Sequence, residues 1–160
     1  MQHESRLTID QQSFIIRQAQ FAEVIDLRHR ILRAGLSRDT AIFPGDELPS
    51  NYHFGAFLDA PDSPALCCAT FHLNSWKDQP AWQLRGMATD PAWTSRGLGT
   101  AVLDLAIRSI TASSPANRFW CNARLTAVPF YQKVGWEIAS DRFEIPSAGP
   151  HHQMVLARKT

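Results

Sequence analysis

The alternation of apolar and polar positions along the chain predicts a mixed α/β fold. "SFIIRQA" (Ser13–Ala19) reads as a first strand. The following "FAEVIDLRHRILRAG" sets Val24, Leu27, Ile31 and Leu32 at helical spacing and stops at Gly35. "LSRDTAIFPGDELPSN" carries Pro44, Gly45 and Pro49 and reads as a loop. "YHFGAFLDA" and "PALCCATFHLNSW" are strand-like and are separated by the turn "PDSP", which predicts an antiparallel hairpin. "AWQLRGMATD" is a third strand, ended by Pro91. A glycine turn then leads into a helix from about Leu98 to Ala112, with Leu98, Val102, Leu105 and Ala106 on one face and Leu103, Ile107 and Ile110 widening it. "RFWCNAR" is a short strand and "TAVPFYQKVGW" a helix closed by Gly135. "WEIASDRFEI" and "HHQMVLAR", joined by "PSAGP", form a closing pair of strands.

This order predicts a mixed, mostly antiparallel central sheet of about six to seven strands with helices on both faces. The strand–helix–strand unit through Gly97 is expected to supply a parallel pair. Residues 1–12 are polar and read as a loosely ordered segment ahead of a single domain over residues 13–160.

Composition narrows the class. The 160 residues suit one domain, 44% of them hydrophobic and 19% charged, as in an ordinary globular protein. The net charge of +1, without a basic stripe, argues against nucleic acid as a partner. No apolar run approaches the roughly 20 residues of a membrane span, and the N-terminus lacks the pattern of a secretory signal. Cys67, Cys68 and Cys121 are odd in number and match no zinc spacing, so no metal is expected. They read as buried thiols, with the cytoplasm as the default compartment.

The sharpest chemical signal is "TSRGLGT" at the joint of strand and helix. A helix N-terminus presents unpaired N–H groups and a partial positive charge, and glycines there let an anion approach the backbone. Arg96 and the Thr100 hydroxyl would add to the attraction. The dinucleotide fingerprint fails because its third glycine would fall at Val102, which weakens a nicotinamide oxidoreductase reading. A P-loop fails because no lysine follows Gly99. The pyrophosphate turn of an acyl-coenzyme A transferase fits, and so does a G-x-G that merely permits a tight turn.

The rest of the chain favours the former. "LRGMATDPAWTSRGLGTAVLDLAI" and "FWCNARLTAVPFYQKVGWE" resemble the GCN5-related N-acetyltransferase (GNAT) family in its small bacterial type. That family's turn, [QR]-x-x-G-x-[GA], aligns with Thr94-Ser95-Arg96-Gly97-Leu98-Gly99. Its A-x-x-F-Y-x-x-x-G-[FW] segment aligns with Ala127, Phe130, Tyr131, Gly135 and Trp136. Thr94 departs from the usual Gln or Arg, and Arg124 stands where many members carry Asn.

The resemblance implies a cytoplasmic N-acetyltransferase that moves an acetyl group from acetyl-coenzyme A to a primary amine of a small molecule or peptide, by direct attack in a ternary complex. It implies coenzyme A contacts at Met87, Ala88, Thr89, Thr94, Ser95, Arg96, Gly97, Leu98, Gly99, Thr100, Phe130 and Tyr131, with Asn122 as a further candidate. Tyr131 is placed to meet the leaving sulfur. Full proton transfer from a tyrosine of pKa about 10 to a thiolate of about 8.5 is uphill by ~2 kcal/mol, whereas a hydrogen bond needs no such transfer.

An acceptor amine of pKa about 10.4 is almost wholly protonated at neutral pH and needs a base. Many relatives use a Glu on the strand before the turn, which "AWQLRGMATD" lacks, and Asp90 lies too near the turn. His72, His53, His151, His152 and a water wire are the candidates. His152, with His151 beside it, is preferred because the loop entering the last strand borders the acceptor side in the family. Asp39, Asp46 and Glu47 could attract a cationic amine or be solvated loop charges. A homodimer is left open. The alternative is a non-catalytic acyl-coenzyme A-binding domain of the same fold, acting as a sensor or partner. The missing strand Glu speaks for it and Tyr131 against it.

Overall fold

The computed structural model describes residues 4–157. The strands are β1 (Glu4–Ile9), β2 (Gln12–Ala19), β3 (Tyr52–Leu58), β4 (Ala65–Leu73), β5 (Trp82–Thr89), β6 (Phe119–Arg124), β7 (Trp136–Ile138), β8 (Phe143–Ile145) and β9 (Gly149–Leu156). The helices are α1 (Phe21–Leu32), α2 (Leu98–Ser113) and α3 (Val128–Lys133). One nine-stranded sheet runs in the order β1-β2-β3-β4-β5-β6-β9-β7, with β8 also paired to β9. Every pairing is antiparallel except β5 with β6.

The mixed, mostly antiparallel sheet is the expected one, but its nine strands exceed the expected six to seven. One extra strand is β1, inside the segment read as loosely ordered. Asp10 and Gln11, at φ +48° and +67°, make a two-residue turn that pairs Ile9 with Gln12. Both central residues take positive φ, as a mirror-image hairpin turn requires, yet neither is the glycine that would announce it. The other extra strand arises because "WEIASDRFEI" splits into β7 and β8, both laid on β9. Met1–His3 of the N-terminal segment and Arg158 of the expected last strand lie outside the described residues.

Alternation along β4 explains the layers. Cys67, Ala69 and Phe71 join a core with Val102, Leu105, Ala106 and Ile110 of α2. Cys68 faces the other way and joins Val24 and Leu27 of α1. Phe71, Val102 and Ile110 are fully buried, each contributing roughly 1.5–3 kcal/mol. Tyr131 and Val128 bring α3 to the α2 side.

A charge lies under α1. Arg28 sits on its apolar face, one turn after Val24, and is fully buried. Its Nη1 donates to Asp46 Oδ2 at 2.7 Å and to the Ala41 carbonyl at 2.9 Å, while Nη2 donates to Asp46 Oδ1 at 3.1 Å and Thr70 Oγ1 at 2.7 Å. The fork thereby pins the 36–51 loop against β4. His53 closes the network: its Nε2–H donates to the Asp46 carbonyl at 2.8 Å, and Nδ1 meets the Thr70 hydroxyl at 2.7 Å.

The same guanidinium presses on Gly86 of β5. A Cβ there would lie 2.4 Å from Arg28 Nε. Gly86 has φ +63°, in the left-handed region, and marks a bulge at which Cys68 pairs Ala88 but Thr70 pairs Arg85. Gly86 and Met87 thus oppose the single residue Ala69, and β5 bends at this point.

Two outcomes follow from this network. Gly86→Ala adds a wrong-handed backbone and a clash with a buried guanidinium, and should cost about 2–4 kcal/mol in urea unfolding. A loss under about 1 kcal/mol would show that Arg28 steps aside freely. The second concerns pH. Burial is the main cause that holds the His53 pKa below its ordinary 6.5, and the same cause acts on His72. The folded state resists protonation and the unfolded state does not. Stability is therefore complete above the unfolded value of 6.5 and falls as pH drops through it. Urea midpoints measured from about pH 7.5 down to 5.5 should decline, and His53→Gln should flatten that decline.

Candidate active site

The turn between β5 and α2 starts at Asp90, whose Oδ1 accepts the Ala92 N–H at 2.9 Å and whose Oδ2 pairs with Arg30 at 3.0 Å. The Ala92 hydrogen bond, then Arg30, hold its pKa below the usual carboxylate value. It is a capping anion, not a base. Thr94, standing where a longer side chain is usual in the resemblance, donates its hydroxyl to the Pro91 carbonyl at 3.2 Å. Ser95 and Gly97 both take left-handed backbone, φ +61° and +97°. Gly97 caps α2, and the first bond of the helix runs from the Ala101 N–H to the Gly97 carbonyl at 3.0 Å. The N–H groups of Leu98, Gly99 and Thr100 therefore precede the helical ladder, next to an exposed loop. Leu98's side chain is anchored in the core. Arg96 pairs with the Asp10 carboxylate and stacks over Trp93 at 5.3 Å. Its charge stays beside the turn, tethered to the β1–β2 hairpin.

The turn abuts a cleft. A Cβ on Gly99 would come within 3.1 Å of Phe130 Cζ and 3.2 Å of Met87 Cε. Beyond Leu84, β5 and β6 part: their parallel pairing holds for Trp82, Gln83 and Leu84 against Phe119, Trp120 and Cys121, and then ends. The bend at Gly86 turns β5 away, so its edge from Gly86 to Thr89 has no β6 partner. Ala88 is buried toward α1, and the Thr89 hydroxyl donates to Cys67 Sγ at 3.4 Å.

A cavity of about 270 Å³ fills the gap. Met87, Asn122 and Tyr131 line it. The Tyr131 hydroxyl donates to Met87 Sδ at 3.7 Å, a weak acceptor. Burial raises the Tyr131 pKa well above 10, with Cys121 and Cys67 adding to the rise. The proton is firmly held, which favours a donated hydrogen bond over full transfer. Asn122 Oδ1 is buried and has no hydrogen-bond partner. Burial also pushes Cys67 up to about 11 and Cys68 and Cys121 up to about 12. All three are free, buried thiols and poor nucleophiles.

The histidines separate by place. His53 is committed to the Arg28 network. His72 meets Gln83 Oε1 at 3.0 Å and is outside the cavity wall. His151 lines the cavity, 4% exposed, with Nδ1 against the Gly149 carbonyl at 2.8 Å. A carbonyl only accepts, so Nδ1 carries a proton, and in the neutral ring it is Nε2 that holds the lone pair. His152, the residue preferred from sequence, is not among the lining residues. Strand alternation puts it on the opposite face from His151, and its Nδ1 meets the Ser140 carbonyl at 3.0 Å.

The acidic loop residues do not gather here either. Asp46 is buried and spent on Arg28, and Asp39 and Glu47 are exposed and absent from the wall. The cavity contains instead groups that sequence reasoning missed, namely Arg33, Phe43, Arg85 and Gly86. Gly86 had a signal, since a glycine inside a strand pattern suggests a bulge or a close approach. The two arginines had none, because the chain brings them together from the segment just after α1 and from β5.

An N–H-lined turn beside a splayed parallel pair, over a buried tyrosine, defines the acyl-coenzyme A N-acyltransferase class. The sequence model of the acetyltransferase (GNAT) domain matches residues 73–156. The uncharacterized N-acetyltransferase YitI of Bacillus subtilis (strain 168) is 30% identical over 141 residues, covering 86% of this chain and 92% of that protein. An acyl-CoA N-acyltransferase from Pseudomonas aeruginosa superposes with TM-score 0.68 at 14% identity, covering 89% of this chain and 98% of that one. An aminoglycoside 6'-N-acetyltransferase crystallised with coenzyme A superposes with TM-score 0.67 at 11% identity, covering 91% and 99%. The chain belongs to the GNAT acetyltransferase family and is an acetyl-coenzyme A-dependent N-acetyltransferase. Membership supports acyl transfer to an amine over passive binding.

Proposed function

We propose that this chain acetylates the primary amine of a small molecule by direct attack, with both substrates bound at once. The observation that carries the reading is the unpaired β5 edge, opened where pairing with β6 stops at Leu84 and Cys121. That edge supplies backbone groups for an amide-bearing pantetheine arm, and Asn122 Oδ1 supplies an acceptor for one of its N–H groups. The first-turn N–H groups of α2 hold the pyrophosphate. The Tyr131 hydroxyl donates to the sulfur as it leaves, and the His151 Nε2 lone pair takes the amine proton in place of the expected His152. With all three thiols neutral and buried, an acyl-cysteine intermediate has no support, which favours direct transfer. Free buried thiols also suit the reducing cytoplasm. Every group in this scheme comes from one chain as a single domain, so no second copy is needed.

Tyr131→Phe keeps the ring packing and removes only the hydroxyl. It should lower kcat about 100-fold while the Kd for acetyl-coenzyme A changes little, as measured by steady-state thiol release and calorimetry. Unchanged turnover would remove Tyr131 from the reaction. Asn122→Leu removes a buried acceptor that lacks a partner. It should raise the free protein's stability by about 1 kcal/mol and weaken acetyl-coenzyme A binding about tenfold. Unaltered affinity would exclude Asn122 from the donor site.

A further inference from the structure

Most arginines of this protein are neutralised. Eight of the twelve described have a carboxylate within 4.0 Å: Arg6, Arg17, Arg28, Arg30, Arg38, Arg96, Arg108 and Arg142. Of the four that do not, Arg33, Arg85 and Arg124 line the cavity that holds Tyr131 and His151. No Asp or Glu is among its lining residues. All three side chains are half-buried.

Their remaining contacts hold them in place without cancelling their charge. Arg33 Nε donates to the Thr40 carbonyl at 3.2 Å, and its Nη1 and Arg124 Nη2 both donate to the Leu32 carbonyl, at 3.3 and 3.2 Å. Arg85 stacks on Phe43 at 4.5 Å, and Arg28 stacks on the same ring at 4.4 Å. The nearby carboxylate, Asp46, is already held in a bidentate pair by Arg28. Burial lowers the pKa of Arg85, with Arg28 and Arg33 lowering it further against the pull of Asp46. Burial and then Arg33 lower that of Arg124.

Resting on the acetyltransferase reading of this cavity, we propose that the acceptor is a small amine bearing a carboxylate, an amino acid or close analogue, whose carboxylate is held by Arg33, Arg85 and Arg124. Clustered, partly desolvated cations without a counter-charge are costly, and a bound carboxylate relieves that cost through fork-to-carboxylate hydrogen bonds. The same field works on the other end of the acceptor. Cations beside an ammonium favour its neutral form, the one that can attack a thioester. A polyamine gains nothing here and meets like charge throughout. A volume of about 270 Å³ is small for a ligand site, which suits an amino acid better than a folded peptide.

The test compares matched acceptors with acetyl-coenzyme A: amino acids, their carboxamides, their decarboxylated amines and phosphate-bearing amines of similar length. Loss of the carboxylate should lower kcat/KM about tenfold or more, and diamines should be the poorest acceptors. Arg85→Gln and Arg124→Gln should each raise KM for the amino acid about tenfold, with the acetyl-coenzyme A Kd from calorimetry little changed. Should a glutamine variant fail to fold, Arg85→Lys and Arg124→Lys keep the charge, lose the fork, and should raise KM in the same direction by less. Preference for amides, diamines or phosphate-bearing amines overturns the assignment, as does an amino-acid KM unmoved by the arginine changes, or no turnover of any carboxylate-bearing amine. In each of those results, intact acetyl-coenzyme A binding leaves the donor site standing. Wild-type protein that fails to bind acetyl-coenzyme A overturns the acyl-transfer reading itself.

Discussion

The contact between the Arg28 guanidinium and the Gly86 backbone is the constraint on which the site depends. A buried cation ordinarily destabilises, because desolvation outweighs attraction unless every donor is met. Here Asp46, Thr70 and the Ala41 carbonyl meet both terminal nitrogens, and the Nε side of the guanidinium lies against the only residue type that leaves room for it. The Nε atom has no partner, so the arrangement is not fully satisfied. Its effect is mechanical. The 36–51 loop is drawn onto the sheet at the level where β5 bulges, and the bulge turns β5 from β6. One polar network thus places the loop wall of the cavity and opens the edge of β5 beside it.

Electrostatics then divides the cleft. At the Tyr131 end, the phenol and the thiols are buried and protonated, and the polar atoms offered are a phenolic donor and the Asn122 oxygen. At the far end, three arginines surround Phe43 and His151 without a carboxylate among the lining groups. A neutral end suits a thioester, whose charge develops only during reaction, while a cationic end suits an acceptor anchored by its own anion. The loop acids that might have inverted this arrangement are solvated or, in Asp46, neutralised within the fold.

The sequence made local features legible and left the convergent ones hidden. Helical spacing in "LGTAVLDLAI" and the G-x-G before it located α2 and its N-terminal turn, because both signals lie within a few residues. Family register singled out Tyr131, which the fold buries in the cavity wall. Strand β1 was lost because its turn uses Asp10 and Gln11 where a glycine would have marked it. The choice between His151 and His152 depended on which parity of β9 faces the cavity, and that is fixed by pairing with β6, which no local pattern reveals. Arg28 could not be read at all. On a helix wheel it sits among Val24, Leu27 and Ile31, and only the burial of Asp46 from a separate loop explains a charge there.

The arginine cluster illustrates why such convergence matters for specificity. Arg33 comes from the chain just after α1, Arg85 from the strand beside the bulge, and Arg124 from the end of β6. Arg124 also stands where the family more usually has an asparagine, and here it lines the cavity. Its Nη2 bonds the Leu32 carbonyl, at the end of α1, and Arg33 bonds the same oxygen. The last carbonyls of a helix carry partial negative charge, and two arginines drawn to one of them are held close despite their repulsion. The helix end therefore supplies enough attraction to assemble the cluster but not enough to neutralise it. A full negative charge fits what remains, and the bulge at Gly86 keeps Arg85 facing the same space.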